Sequence, residues 1–120
     1  YQNEESLQKR LKRIADKQAE QTETFKFIRD PQNKMKRRLS EITYFRLYRH
    51  HYCVPELIAL AEDAALEEPL RVAAVEVLGW FGRSYQRPII SAMCERLLQR
   101  EQPRTIFEQT QRTSKRLEAY

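Results

Sequence analysis

Glycine is nearly absent from this sequence, which contains only Gly79 and Gly82 among its 120 residues. Hairpin-rich β folds use glycine at turn positions with positive φ, so the shortage argues against an all-β sandwich. A glycine-rich phosphate-binding loop is excluded for the same reason. The composition therefore predicts an all-α protein and argues against the nucleotide-binding folds.

Cysteine and long apolar runs are also scarce. Cys53 and Cys94 are the only cysteines, too few for a disulfide scaffold. No stretch reaches the roughly 18 uninterrupted apolar residues that a membrane span needs, and no secretory signal is visible in the polar first residues. We therefore expect no membrane span. Because the chain does not begin with methionine, we also expect it to be a processed product or part of a longer protein.

Positive charge is concentrated in the N-terminal half of the chain. The net charge is +5, and residues 1–53 hold 13 of the 22 Lys and Arg residues but only 7 of the 17 Asp and Glu residues. Such an excess indicates either an anionic partner or the solvated faces of two long helices. The second interpretation is the more common one for charge of this kind.

Five prolines divide the sequence, and apolar residues recur at spacings of three and four between them. The prolines are Pro31, Pro55, Pro69, Pro88 and Pro103. Proline is favoured at the first position of a helix, where its missing N–H costs nothing. We therefore predict a long amphipathic helix within 1–30, followed by five helices at about 31–51, 55–66, 69–81, 88–100 and 103 onward. Asp30 is predicted to cap the second helix.

The sequence also repeats itself at an interval of about 33 residues. Pro55 and Pro88 are 33 residues apart, and three arginines keep the same spacing: Arg38, Arg71 and Arg104. Two helices in every 33 residues or so are typical of a stacked helical solenoid. Near-complete units lie at about 35–66 and 70–100. The last helix departs from the pattern, so it is predicted to be a cap.

The segment 70–79 resembles the first helix of a HEAT-like repeat. The matching residues are Arg71, Ala74, Leu78 and Gly79, and the resemblance covers about 34–99. It implies a single-domain α-α superhelix in which a long helix at 1–30 is followed by a HEAT-like region at 31–120. We also expect the recurrent arginine to pair with a carboxylate of a neighbouring unit, such as Asp63 or Glu67. The resemblance implies no particular activity, because fold does not fix function.

Two groups of residues are candidate partner contacts. Bases alternate with aromatic residues in the run 44–52, and with the preceding cations this run is a candidate phosphate-binding face containing Arg37, Arg38 and Arg49. A solvated basic face over an ordinary aromatic core is the favoured alternative, because Phe45 and Tyr48 are expected to point inward. Trp80 and Tyr85 flank Gly82. We give them equal weight as a partner contact and as a plug between helices.

No catalytic or metal-binding pattern emerges from the sequence. His50, His51 and Cys53 do not have the spacing of a structural zinc site, which needs four ligands. Carboxylates adjacent in sequence on a helix point apart, so Glu62 with Asp63 does not form an acid–base pair. We therefore expect neither a cofactor nor an enzymatic activity, and no small-molecule substrate is identified.

These observations predict a non-catalytic protein–protein interaction or scaffold module that is part of a larger protein. Its partner-binding candidates are Arg37, Arg38, Arg49, Trp80 and Tyr85. A protein is the expected partner. The alternative is a helical-repeat domain that binds nucleic acid through its basic N-terminal half.

Overall fold

The fold is described by a computed structural model, which covers residues 2–47 and 52–120 and the side chains from residue 4 onward. Within this part of the chain six α-helices follow one another: α1 Gln2–Arg29, α2 Met35–Tyr44, α3 Cys53–Glu62, α4 Glu68–Leu78, α5 Arg87–Gln99 and α6 Arg104–Glu118. A single 3-10 turn, Gly79–Phe81, extends α4. The described residues contain no strand, so the prediction of an all-α protein with six helices is confirmed.

Four of the five prolines lie at the start of a helix, but Pro31 does not. Pro31 belongs to a turn, and α2 begins only at Met35. The prediction that Asp30 caps this helix is wrong. The Asp30 carboxylate instead accepts a hydrogen bond from the backbone N–H of Gln32 at 2.9 Å. An aspartate side chain that closes its own turn in this way is no longer available to the helix.

Helix α4 lies at the centre of the molecule, where it contacts α2, α3 and α6. Helix α5 packs against α3 and α6, while α1 packs against α2. The helices α2, α4 and α6 therefore lie side by side in this order. Helices α3 and α5 contact each other and pack against α4 and α6, respectively.

One continuous apolar core joins these helices. It contains the inward residues of each periodic stripe, among them Ile42, Leu57, Leu78, Met93 and Leu97, which are fully buried. Removing the side chain of such a leucine typically costs about 2–5 kcal/mol of folding free energy. The core is thus the main source of stability in this small domain.

Both glycines lie where α6 and the chain after it approach the end of α4. A Cβ atom on Gly79 would lie 3.2 Å from Cδ of Arg116, and one on Gly82 would lie 2.1 Å from Cδ2 of Tyr120. The φ angles of the two glycines are −63° and −62°, so neither needs a left-handed conformation. A side chain on Gly82 would force the Tyr120 ring to move, whereas one on Gly79 would require only a small shift of the Arg116 side chain.

The N-terminal half of α1 extends away from the rest of the molecule. Every residue from Glu4 to Glu20 is exposed, whereas Phe25 and Ile28 further along the helix are buried. We call residues 4–17 the arm. No helix within 2–47 and 52–120 is long and apolar enough to span a membrane.

Candidate binding surface

Two buried arginines make equivalent hydrogen bonds one sequence repeat apart. Nε of Arg38 donates to the carbonyl of Ile28 at 2.6 Å, and Nε of Arg71 donates to the carbonyl of Ala61 at 3.0 Å. The two acceptors are separated by 33 residues, as are the two donors. Each arginine therefore fastens the start of one helix to the end of the helix before it.

The second contact of each arginine reaches the connection that leads into the helix two further along the chain: α4 for Arg38 and α6 for Arg71. The predicted pairing with a carboxylate is confirmed for Arg38, which forms a salt bridge with Glu67. It is wrong for Arg71, whose Nη2 donates to the amide oxygen Oε1 of Gln102 at 2.9 Å. Only 2% of Arg38 is exposed. The structure thus places this partner-binding candidate inside the fold, where its guanidinium is committed to Ile28 and Glu67.

Two carboxylates beside these contacts are held in the ionised form. The hydrogen bond from Arg38 is the largest cause of a lowered pKa at Glu67. At Asp63 the main cause is the hydrogen bond from Nη1 of Arg29, at 2.8 Å, which also lowers the pKa. Both carboxylates therefore serve as structural anchors between neighbouring helices.

Trp80 contacts two arginines that are distant from it in sequence. Its ring centroid lies 3.8 Å from Cζ of Arg46 and 4.2 Å from Cζ of Arg116. Both guanidinium groups therefore lie in contact with the indole ring. We call these three residues the arginine–tryptophan stack.

The stack lies where three neighbouring helices end. Arg46 follows α2, Trp80 follows α4 and Arg116 is in the last turn of α6. Cations near helix C-termini interact favourably with the helix dipole, and a guanidinium over an indole adds a cation–π attraction. Of these three residues, Trp80 is predicted from the sequence as a contact, Arg46 only as part of the run 44–52, and Arg116 not at all. The sequence signal that could have identified these arginines is their distance from Trp80. Arg46 lies 34 residues before Trp80 and Arg116 lies 36 residues after it, each close to one repeat.

The other candidate residues do not join the stack. Arg37 lies in the first turn of α2, where its guanidinium is 5.8 Å from the centroid of Phe27. At 1.5 Å per residue, this is about 14 Å along the axis from Arg46. Tyr85 is 76% exposed and lies in the connection before α5. Arg49 lies outside the described residues.

A shallow groove runs beside the stack between α2 and α4. We call it the α2–α4 groove, and its walls are mostly small or apolar with carboxylates at the rim. It is lined by Leu39, Thr43, Glu68, Pro69, Val72, Ala73, Glu76 and Thr105. The groove and the stack together form a surface that combines apolar area with both signs of charge.

The two thiols lie in the core. Cys53 and Cys94 are at most 1% exposed, and burial raises their pKa values to about 12 and about 11. Thiols in such surroundings are inert. Residues 2–47 and 52–120 contain no group of three side chains suited to a metal ion. His50 and His51 lie outside this part of the chain.

No protein-family model, curated protein or solved structure matches this chain. The HEAT-like resemblance of segment 70–79 therefore stays a prediction.

Proposed function

We propose that this chain is a HEAT-like, non-catalytic module that binds another protein through the arginine–tryptophan stack and the α2–α4 groove. The observation that carries the proposal is the stack itself. Tryptophan and arginine are enriched among the residues that dominate protein–protein binding energies. Because Arg46 and Arg116 hold Trp80 in place before any partner arrives, less side-chain freedom is lost on binding.

The repeated arginine contacts support the HEAT-like part of the proposal. Arg38 and Arg71 make the same bond to the preceding helix at an interval of 33 residues. Arg104 keeps the spacing, but it is highly exposed and bonds only to Glu108 within its own helix. Helix α6 thus lacks the inward arginine, as expected of a capping helix at the end of a stacked array.

The α2–α4 groove supports a protein rather than a small molecule as the partner. It is open and shallow, and residues of α2, α4 and α6 all contribute to it. Leu39, Val72 and Ala73 supply apolar area, while Glu68 and Glu76 supply negative charge. A mixed surface of this kind, beside a fixed aromatic anchor, matches the apolar centre and polar rim of protein interfaces.

Three observations favour a protein over nucleic acid. Two guanidinium groups already lie over the Trp80 indole and compete with any base for this ring. Arg38 is buried in its contacts with Ile28 and Glu67, so it is not available to a phosphate. The groove next to the stack also carries carboxylates, which repel a phosphate backbone.

Site-specific photo-crosslinking tests the protein-binding proposal. A photoreactive side chain is placed in the groove at Thr43 and, as the matched control, at Gln99, an exposed residue at the end of α5. After irradiation in an extract of the organism of origin, we expect a discrete adduct from position 43 and none from position 99. Equal adducts from both positions would contradict a defined binding surface.

Fluorescence anisotropy tests the nucleic-acid alternative. A labelled duplex and a labelled single strand are titrated at roughly 50 mM and 200 mM salt, a range over which phosphate contacts weaken steeply. We expect no binding at micromolar protein under either condition. Binding that is lost at the higher salt and with Arg37→Ala would overturn the protein-binding proposal in favour of the nucleic-acid alternative.

A further inference from the structure

The guanidinium of Arg116 is positioned by an aromatic ring and keeps its hydrogen-bond donors. Its Cζ atom lies over the Trp80 ring, 4.2 Å from the centroid. Because the N–H groups of a guanidinium lie in its own plane, a group that lies over a ring can still donate from its edge. Arg116 is exposed and has no hydrogen bond or ion pair within the part of the chain that the structure describes. It can therefore accept an external carboxylate, the partner that its fork of donors matches best.

Other cations surround this guanidinium. Arg46 contacts the same indole ring, with its Cζ atom 3.8 Å from the centroid. Arg112, one turn earlier on α6, and Lys115, next to Arg116 in the chain, are both exposed. Like charges that lie close together repel one another, and a carboxylate placed among them offsets this repulsion. The stack end of the binding surface therefore favours an acidic group.

An unpaired negative charge lies about one helical turn away, in the α2–α4 groove. Glu76 lines the groove and is exposed, and no hydrogen bond or ion pair joins it to another residue of the described chain. It precedes Trp80 by four residues, which is roughly 6–7 Å along the helix and the 3-10 turn that follows it. Glu68, in contrast, accepts a hydrogen bond from the Thr105 hydroxyl at 2.7 Å. Glu76 is therefore the carboxylate of the groove that is available to a cation.

The backbone around the groove favours a helical occupant. The groove lies between α2 and α4, whose interior N–H and C=O groups are hydrogen-bonded within each helix. An extended segment in this groove would find no strand edge with which to pair its own backbone groups. A helix pairs these groups internally and needs only side-chain contacts. Two side chains three or four residues apart on a helix are about 5–6 Å apart, close to the separation of the two charged sites.

We propose that the partner binds through an amphipathic helix that carries a carboxylate for Arg116 and, about one turn away, a cation for Glu76. Its apolar face packs on Leu39, Val72 and Ala73 in the α2–α4 groove. This inference rests on the proposed function and adds the chemistry of the partner to it. The pairing of opposite charges at two fixed points gives the groove its selectivity, because a helix with the charges exchanged is repelled at both.

Peptide selection on the whole chain provides the probe. A displayed library of random peptides of about 15 residues, long enough for four helical turns, is selected on the wild-type chain. The peptides that fail to bind Thr43→Trp are the groove binders, because a large side chain at this exposed residue of the groove blocks it. We expect them to share an acidic and a basic residue three or four positions apart.

Fluorescence anisotropy with one labelled groove binder then tests the two charged contacts. We expect Arg116→Gln and Glu76→Gln each to weaken binding about tenfold, since close charge pairs across interfaces are coupled by at least this amount. The matched controls are Lys115→Gln and Glu95→Gln, which make the same changes of charge at exposed positions outside the stack and the groove. Both controls should bind as the wild type does, and circular dichroism verifies that all four variants are folded.

A double-mutant cycle separates direct contact from support of the indole. Replacing the acidic residue of the peptide by its amide should weaken binding to the wild-type chain about tenfold and binding to Arg116→Gln hardly at all. Equal losses in both chains would show that Arg116 only holds Trp80 in place, and would overturn the inference. Groove binders that lack the charge pair would also overturn it and leave the proposed function standing. A chain that selects no groove binder would contradict both.

Discussion

Equal spacing in sequence does not give the three recurrent arginines equal roles. Arg38 is buried and holds both the Ile28 carbonyl and Glu67, whereas Arg104 is exposed and contacts only Glu108. Removing the Arg38 guanidinium leaves the buried Ile28 carbonyl without its hydrogen bond, whereas Glu67, whose side chain is 39% exposed, is solvated by water. We therefore expect Arg38→Met to lower the free energy of unfolding by about 1–3 kcal/mol.

Urea denaturation measures this effect, and Arg104→Met is the matched control. An exposed pair within one helix contributes at most about 0.5 kcal/mol, so the control should unfold almost as the wild type does. Equal losses in the two variants would show that burial does not distinguish these arginines.

The Arg38–Glu67 contact also makes stability depend on pH. The pKa of Glu67 in the folded chain lies below its ordinary value of 4.5, so the unfolded chain binds a proton at a higher pH than the folded chain does. The stabilisation is therefore present above about pH 4.5 and is lost as the pH falls through the folded pKa. Asp63 adds a loss in the same direction.

Thermal unfolding at pH 7 and at about pH 3.5 checks the sign. We expect Glu67→Gln to be less stable than the wild type at pH 7 and to lose less stability on acidification. Glu95→Gln, which replaces an exposed carboxylate on α5, should keep the wild-type pH dependence. A Glu67→Gln variant with the full wild-type acid sensitivity would contradict the role given to this pair.

At the scale of the helices, α6 packs on α4 through polar side chains as well as apolar ones. Thr113 is buried, and its Oγ1 donates to the carbonyl of Val75 at 2.9 Å and accepts from Nε2 of Gln109 at 3.2 Å. Valine has nearly the same shape but lacks the hydroxyl. We expect Thr113→Val to lower the free energy of unfolding by about 1–2 kcal/mol, because both bonds are lost.

Chemical denaturation tests this expectation, with Ser114→Ala, next in the chain, as the control. Ser114 is only half-buried and should tolerate the change with a loss below about 0.5 kcal/mol. If Thr113→Val were as stable as the wild type, the polar contact between α4 and α6 would contribute nothing measurable.

The helices could be predicted from the sequence because their signals are local. Proline at the first turn and apolar residues at spacings of three and four mark α3, α4 and α5. The same reasoning failed at Pro31, because the Asp30 side chain closes a turn there and competes with the helix start. Local patterns thus predict that a helix exists better than they predict its first residue.

The site was less predictable because its contacts join distant parts of the chain. Trp80 stands out as the only tryptophan, but its partners Arg46 and Arg116 are identified only by the packing of α2 and α6 against α4. The prediction that Arg38 lies on the surface is wrong because it rests on the charge of the side chain, which favours exposure to solvent. The repeat spacing correctly predicts that Arg38 has a partner within the protein.

At the scale of the whole molecule, the described surface is divided between two features. The arginine–tryptophan stack and the α2–α4 groove lie on the side-by-side helices α2, α4 and α6. The arm, which is the N-terminal part of α1, carries exposed apolar residues of its own, namely Leu7, Leu11 and Ile14. We propose that the stack and the groove bind another protein.

The most direct test of the central claim is whether the crosslinked adduct formed from position 43 depends on the stack. The adduct yields of the wild-type chain, Trp80→Ala and the double variant Arg46→Ala/Arg116→Ala are compared, with circular dichroism to verify folding and Tyr85→Ala as the surface-aromatic control. We predict at least a tenfold lower yield for both stack variants, which corresponds to a loss of about 1.4 kcal/mol or more, and an unchanged yield for the control. A wild-type yield from folded stack variants would contradict the proposed binding surface.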